Sequence, residues 1–244
     1  MKALAIICTY NEADIIGWTV AHLRRQGLDV LVIDCQSTDE TRRLAMREGA
    51  QIEPYSPPPM SWHAMLGFVE RIVAGYIGVY AWCTLCDADE LRYSYTAETL
   101  VEGFARVQLE GFNAIDHRVV TFHPTADSAT FDGSQNPEDY FRFYSSDPLN
   151  QRLGQVKAWR NAQPVSLANS GGHQVQFAGR KVYPGKFLSK HYPIRSQAHG
   201  ERKVFQERQW LDAKQGRKDW HVQYQGITRG QSFLKDPATL AEWK

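Results

Sequence analysis

The first 55 residues alternate between fully apolar segments of strand length and segments with helical periodicity. Apolar runs occupy residues 2–8 and 28–34, with a short third run at 50–55. Residues 13–27 and 37–50 lie between them, and their apolar side chains recur at helical spacing. Strands half exposed in an antiparallel sheet would alternate polar and apolar residues, whereas these do not. The pattern predicts an α/β fold whose first half is doubly wound around a parallel sheet.

The same reading continues less regularly along the chain. It predicts a helix over 61–76, a buried strand over 79–86, and a helix over 96–111 capped by Thr96. A strand with one face more exposed to solvent follows at 112–122. Beyond it we expect a polar loop, several short strands of a mixed sheet and a polar helix over 195–216. These elements predict one domain over residues 1–216 and a tail over 217–244.

The apolar content of the chain bears on its location. No stretch reaches the roughly 18 to 20 apolar residues of a membrane helix, and the first apolar run leads into Asn11 and Glu12 instead of a cleavage site. We therefore expect no signal peptide, no membrane span and a cytoplasmic location. The four cysteines fall in apolar segments and are expected to be reduced. No feature of the sequence indicates an oligomeric state.

Charge is distributed unevenly although the net charge is only +1. From Arg180 onward there are 14 basic and 6 acidic residues, against 14 and 21 before it. A basic carboxy-terminal part favours a phosphate-bearing partner, either a small molecule or a polymer.

Three polar clusters follow the predicted strands, at residues 9–12, 34–39 and 87–90. In an open α/β sheet, ligands bind beyond the carboxyl ends of the strands, so these clusters are expected to share one edge. The first loop contains neither G-x-G-x-x-G nor a phosphate-binding G-x-x-x-x-G-K-[ST] motif, which disfavours a nicotinamide-dependent dehydrogenase and an ATPase-type site.

The stretch CTLCDADELRY at 83–93 allows three interpretations: a metal site made by sulfur, one made by oxygen, or a buried strand ending in surface acids. Zinc would need two further soft ligands at matching spacing, and the sequence has no second C-x-x-C. Asp87 and Asp89, at i and i+2 on a turn, can direct both carboxylates at one hard cation. Mg²⁺ or Mn²⁺ holding a substrate diphosphate suits such a pair.

Together, TYNE after the first strand, VIDCQSTDET around the second and a strand leading into DADE resemble family 2 glycosyltransferases, which are nucleotide-sugar transferases with the A-type, Rossmann-like fold. The segment W….CDADEL is also similar to the W…D-x-D-E form of a subgroup that includes family 92-like enzymes. The chain departs from the family pattern in having Cys35 and Gln36 where many members carry Asp or Asn and Gly. It also lacks a clear Glu-Asp pair for the catalytic base.

The resemblance implies a metal-dependent, inverting transfer of sugar from a UDP-sugar to a hydroxyl group, with residues 1–92 binding the nucleotide and 93–216 binding the acceptor. It implies that Thr9, Tyr10, Asn11 and Glu12 line the nucleotide pocket and that Asp34 reads the base. Asp87 is expected to face ribose or metal, and Asp89 to bind the metal.

Further candidates come from the carboxy-terminal half. His191, preferred to His173, is expected to complete the site for Mn²⁺ or Mg²⁺. Lys190, Arg195 and Lys203 are expected to neutralise the diphosphate.

The sequence does not determine the acceptor or the catalytic base. Candidates for the base that takes the acceptor proton are Asp132, Glu138 and Asp139. The acceptor is expected to be a glycan or a hydroxylated DNA base. Other functions compatible with the sequence are a nucleotidyltransferase, although it would show a basic Gly-rich loop near the start, and a non-catalytic nucleotide-sugar-binding module.

Overall fold

The computed structural model describes residues 1–56, 61–128, 130–146, 154–207 and 226–243. Over these residues the chain forms one mixed sheet with helices on both faces. The strands are β1 (Ala3–Thr9), β2 (Asp29–Asp34), β3 (Gln51–Pro54), β4 (Trp82–Asp87), β5 (Glu90–Tyr93), β6 (Ala114–Phe122), β7 (Phe143–Ser145), β8 (Val156–Arg160), β9 (Phe187–His191) and β10 (Ala241–Glu242). The helices are α1 (Ile16–Arg25), α2 (Thr41–Arg47), α3 (Trp62–Gly75), α4 (Leu100–Leu109), α5 (Pro137–Tyr140) and α6 (Gln197–Arg202), which continues into a π-helical turn, Lys203–Glu207.

Sheet topology divides the molecule into two parts. Strands β3, β2, β1 and β4 lie side by side and are parallel. Beyond β4 come β8, β6, β7 and β10, which are joined by antiparallel pairing, while β9 pairs with both β6 and β5. The predicted fold class is confirmed: a Rossmann-like α/β architecture with a parallel first half and a mixed carboxy-terminal part.

Helices on both faces explain why the first strands are apolar throughout. In β1, Ala5 and Ile7 face the core formed with α1, α2 and α4, whereas Leu4 and Ile6 face the core formed with α3. Alternate residues of a strand point to opposite faces, and both faces are covered, so every side chain of β1 is buried. The cysteines follow the same rule, since Cys86 lies in the first core and Cys83 in the second, and all four are free and buried.

Several boundaries differ from the prediction. The helix expected over 96–111 begins at Leu100, because Thr99 forms a capping box with Glu102. Strand β5, directly after the paired aspartates, was not predicted. The described part of the predicted tail packs on the domain, with β10 paired to β7 and Phe233 against Gly200. The predicted boundary at 216 lies outside the described residues.

Within the described ranges of the chain, none of the helices combines the length and the apolar character needed to traverse a bilayer.

Candidate functional site

The carboxyl ends of β1, β2 and β4 place the predicted polar residues side by side along one edge of the sheet. The register pairs Thr9 of β1 with Asp34 of β2, and Cys8 of β1 with Asp87 of β4. Strand β6 is antiparallel to β8, which is antiparallel to β4, so β6 ends at this edge too. We call this edge of the sheet the rim.

Side-chain hydrogen bonds lock the loops after β1 and β2 together. The backbone N–H of Asn11 donates to Ser37 Oγ at 3.0 Å, and that of Thr38 donates to Asn11 Oδ1 at 2.8 Å. Asn11 and Gln36 adopt positive φ angles of 52° and 65°. Gln36 thus occupies a left-handed conformation at the position where the resemblance leads one to expect glycine. These hydrogen bonds join the two loops at the rim.

Two buried polar atoms at the rim have no hydrogen-bond partner among the described residues: Asp34 Oδ1 and Thr9 Oγ1. The other oxygen of Asp34 accepts from Ser37 N–H at 3.1 Å and from Arg42 Nε at 2.5 Å. A buried acceptor left without a donor costs about 1–3 kcal/mol. Asp34 therefore presents one unsatisfied acceptor, which a ligand N–H could satisfy. Tyr10, half-buried, packs against the core on the α3 side.

Below Asp87 lies a buried ionic network that the sequence did not indicate. Lys157 Nζ lies 2.9 Å from Asp87 Oδ2 and 3.3 Å from Glu90 Oε1. Arg92 holds the other oxygen of Glu90 at 2.6 Å. Burial alone would raise the pKa of Glu90, but the charges of Lys157 and Arg92 outweigh it and lower that pKa. Buried Lys157 therefore holds Asp87 from the protein interior, while the side chain of Asp87 is 36% exposed to solvent. The one available signal was a lysine within the apolar strand QVKAWR.

Asp89 faces the protein interior. Lys203 Nζ donates to its Oδ2 at 3.0 Å, while His191 Nε2 lies 3.6 Å from its Oδ1. Burial would raise the pKa of the Asp89 carboxyl, yet the charges of Lys203, His191 and Arg195 hold it well below the usual range. Asp89 is therefore an ionised carboxylate whose charge the protein already compensates.

Arg195 is fully buried, contrary to the expectation of an open phosphate-binding residue. Its guanidinium contacts both oxygens of Asp14, at 2.7 and 2.8 Å, and forms an ion pair with Glu12. Burial would lower the pKa of Arg195, but the charges of Glu12 and Asp14 raise it. The residue joins the loop after β1 to the segment after β9.

Lys190 is also paired with a carboxylate. Its ammonium donates to Glu138 Oε1 at 2.6 Å and lies 4.8 Å from the ring centroid of Trp243. Lys190, Arg195 and Lys203, the three cations predicted to neutralise a diphosphate, are all held by carboxylates in this structure.

The predicted metal set of Asp87, Asp89, His191 and His173 is not assembled. Over the described ranges, no group of three or more His, Cys, Asp or Glu side chains is placed to hold a metal ion. His173 Nδ1 is instead 3.0 Å from Gln155 Oε1, and burial lowers its pKa. The physical reason is that lysines take the carboxylates: Lys157 binds Asp87, and Lys203 binds Asp89. In this arrangement the residues do not fit a metal ion.

A polar cavity of about 450 Å³ opens beyond the end of β6. Its lining includes Asp127, Asp139, Tyr140, Arg142 and Phe143. Carboxylates beside aromatic rings are suited to a polyhydroxylated ligand, since the carboxylates accept from hydroxyl groups and the rings pack on apolar sugar faces.

The three candidate bases differ in their surroundings. Asp139 lines the cavity. Glu138 is paired with Lys190, whose hydrogen bond helps to lower the pKa of Glu138 against the effect of burial. Asp132 is exposed and accepts from Ser134 N–H at 2.9 Å, which lowers its pKa. Of these three, Asp139 is the one placed to meet a ligand in the cavity.

Comparison with known families finds one match. The sequence model described as "Glycosyl transferase family 2" matches residues 4–52, about one-fifth of the chain. This segment contains Thr9, Asn11 and Asp34, and it supports a family 2-like fold from β1 into β3. No sequence among the curated proteins matches the chain.

Solved structures give more distant likenesses. The crystal structure of S. aureus TarS, residues 1–349, in complex with UDP has a TM-score of 0.45 at 14% identity, over 80% of this chain and 61% of that one. The structure of glucosyl-3-phosphoglycerate synthase from Mycobacterium tuberculosis with Mn²⁺, UDP and glucosyl-3-phosphoglycerate has a TM-score of 0.35 at 18% identity, over 52% and 46% of the two chains. The chain spans about three-fifths or less of the length of these proteins, and likeness at this level assigns no activity.

Proposed function

We propose that the chain is a glycosyltransferase that moves a sugar from a UDP-sugar to a hydroxyl group, with inversion at the anomeric carbon. The family match over residues 4–52 supports sugar transfer. The observation that carries the nucleotide assignment is the unsatisfied Oδ1 of Asp34 at the rim.

The number of unsatisfied acceptors favours uracil. Uracil presents one N–H on its pairing edge, which one carboxylate oxygen can accept. Guanine presents two adjacent donors and would use both oxygens, but Oδ2 of Asp34 is already engaged by Ser37 and Arg42. Cytosine has no proton on its ring N3. Asp34 therefore matches a uridine nucleotide best among these three.

Transfer requires an acceptor hydroxyl close to the donor sugar. We assign the acceptor to the cavity beyond β6 and the base to Asp139, which lines it. In this reaction the carboxylate takes the hydroxyl proton as the acceptor oxygen bonds to the anomeric carbon, and the bond from that carbon to the UDP oxygen breaks. No step is assigned to a metal ion; the metal dependence expected from the sequence stays a prediction.

The acceptor class follows from the cavity lining. The charged residues of the lining, Asp127, Asp139 and Arg142, carry a net negative charge, which disfavours a nucleic-acid backbone, and the two carboxylates can accept hydrogen bonds from sugar hydroxyls. We therefore favour a glycan or another polyhydroxylated acceptor over a DNA base.

Asp34→Asn tests the donor assignment. Hydrogen bonds to charged groups contribute about 1.5–3 kcal/mol, so we expect UDP affinity measured by calorimetry to fall by about tenfold or more. The matched control is Asp29→Asn on the same strand, where Asp29 pairs with Arg24 away from the rim. Equal UDP affinities for the two variants would contradict the assignment.

Asp139→Asn tests the base. Positioned acid–base groups contribute about 10²–10⁴-fold, so we expect kcat for transfer to fall by at least about 100-fold. Asp132→Asn is the matched control, because Asp132 is an exposed aspartate of the same loop, and its kcat should stay within about twofold of the wild type.

UDP binding without hydrolysis or transfer for any UDP-sugar would instead indicate a binding module. Product stereochemistry, read by NMR, tests inversion.

A further inference from the structure

Helix α5, which carries Asp139, is a single turn, Pro137–Tyr140. An isolated helix shorter than about 12 residues is marginal in water, so the position of this turn depends on contacts with the rest of the chain. Asn136 caps the turn by accepting a hydrogen bond from Glu138 N–H at 3.1 Å. Phe141, directly after the turn, is buried in the aromatic cluster beside β6. Asp139 is therefore placed by the residues that flank it.

The side chain of Glu138 ties this turn to the central sheet. Its carboxylate lies 2.6 Å from Lys190 Nζ, and the two side chains are 25% and 11% exposed. Lys190 belongs to β9, whose backbone is paired with β5 on one side and β6 on the other. Because the strand is held on both sides, the ion pair fixes Glu138 next to Asp139.

The ammonium of Lys190 also lies between two aromatic rings. It is 5.1 Å from the ring centroid of Tyr93 and 4.8 Å from that of Trp243. A cation within about 6 Å of an aromatic face is attracted to it, and the attraction is stronger where the cation is shielded from water. The two rings and the carboxylate of Glu138 thus hold the ammonium in one place.

Trp243 comes from the part of the chain that the sequence predicted to be a tail. Strand β10 places it by pairing with β7, and the Trp243 N–H donates to the carbonyl oxygen of Arg142 at 2.8 Å. Its ring lies 5.7 Å from that of Phe122 and 5.4 Å from that of Tyr144, measured between centroids. The carboxy-terminal segment is thereby joined to Lys190 through this ring.

We propose that Trp243 and Lys190 are positioning residues for the base. Trp243 holds Lys190, Lys190 holds Glu138, and the turn then presents Asp139 to the acceptor hydroxyl. The identity of the base rests on the proposed function. A misplacement of about 1 Å can cost about 100-fold in rate, so the carboxy-terminal segment acts on kcat, whereas UDP binds at the rim through Asp34 and is not affected.

Two substitutions separate the aromatic face of Trp243 from its bulk. Trp243→Leu keeps an apolar side chain without a ring and should lower kcat at least about fivefold, while Trp243→Phe should stay within about twofold of the wild type. UDP affinity, measured by calorimetry, should change by less than about twofold in both variants. The matched control is Arg229→Met, which removes a cation–ring contact with Phe205 in the same segment and should leave kcat unchanged.

A double variant tests whether the effect passes through Glu138. Adding Trp243→Leu to Glu138→Gln should lower kcat no further than Glu138→Gln alone, because both changes break the same chain of contacts. Independent losses that multiply overturn the proposal. Wild-type kcat in Trp243→Leu, or equal losses in the Leu and Phe variants, also overturns it.

Hydrogen exchange measures the same link without turnover. The amides of Tyr140 and Phe141 donate to the carbonyl oxygens of Asn136 and Pro137, and they should exchange faster in Trp243→Leu than in Trp243→Phe. Equal exchange overturns the proposal. If Trp243→Leu does not fold, Lys190→Met and Lys190→Arg replace the Leu and Phe variants with the same expectations. Full kcat in Asp139→Asn contradicts the base assignment of the proposed function and leaves the exchange result standing.

Discussion

The rim is built from two regions of opposite charge. Loops after β1 and β4 supply acids, among them Glu12, Asp14 and Asp89. The segment from β9 to the π-helical turn supplies Lys190, Arg195 and Lys203. Acids of the first region are placed by strand ends, whereas cations of the second are buried against carboxylates distant in sequence. The charge asymmetry of the sequence thus reflects, in part, complementary pairing within one chain, and not only a basic surface for an external polymer.

Arg195→Met should have the largest effect on this pairing. Removing one partner of a buried ion pair costs about 3–5 kcal/mol, and here it leaves Asp14 without its cation and Glu12 with Lys203 alone. We expect the free energy of unfolding in urea to fall by that amount. Arg160→Met, at an exposed position, should change it by less than about 0.5 kcal/mol. A loss below about 1 kcal/mol for Arg195→Met would mean that the two regions are not held together by this contact.

Acid should affect the rim carboxylates and the histidines of β6 and the residue after it, His117 and His123, in different pH ranges. Burial lowers the pKa of His117 to about 3 and that of His123 to about 4. The unfolded chain binds protons on these groups below about pH 6.5 and the folded chain does not, so stability falls as pH falls from that value. The lowered pKa of Asp89 acts differently: its contribution is complete above about pH 4 and is lost only below it.

His117→Phe separates these contributions. It should flatten the decline of unfolding free energy between about pH 6.5 and 4.5 by up to about 1.4 kcal/mol per pH unit. Urea unfolding at several pH values measures the slope. Above about pH 7.5 the slope of the variant should match that of the wild type. An unchanged slope in the acidic range would show that His117 is not the responsible group.

A contact local in sequence should matter less than the long-range ion pairs. Thr99→Ala removes the capping box at the start of α4 and should cost about 1 kcal/mol. Thr96→Ala, at the exposed position that the sequence predicted as the cap, provides the control in the same thermal melts. A similar loss for both variants would contradict the observed start of the helix.

Gln36→Gly should have the smallest effect, and in the opposite direction. The left-handed conformation costs an ordinary residue about 1–2 kcal/mol, while glycine loses about 0.5–1 kcal/mol of backbone entropy. We expect a gain of at most about 1 kcal/mol in unfolding free energy. A clear loss would show that the hydrogen bond between the side chains of Gln36 and Ser56 outweighs the strain.

Hydrophobic periodicity was sufficient to predict the parallel half and the edge where its strands end. Asp34, Asp87 and Asp89 lie at this edge because a buried strand must stop where polar side chains begin. The hydrophobic pattern did not show which cation each carboxylate would pair with. Lys157 and Asp87 are 70 residues apart and meet only because β8 pairs with β4. A pair of acids at i and i+2 indicates a cation but does not say which one, and the cations beside Asp87 and Asp89 in this structure are lysines.

The contact between Glu12 and Arg195 also sets the order in which the molecule can be completed. These residues are 183 positions apart, and Lys203 is 114 positions from Asp89. Contacts of such separation form late, because a long loop must close before they contribute energy. During synthesis, the first four strands can therefore assemble while Glu12 and Asp89 are still hydrated, and these two acids acquire their cations only after residues 195 and 203 have emerged from the ribosome.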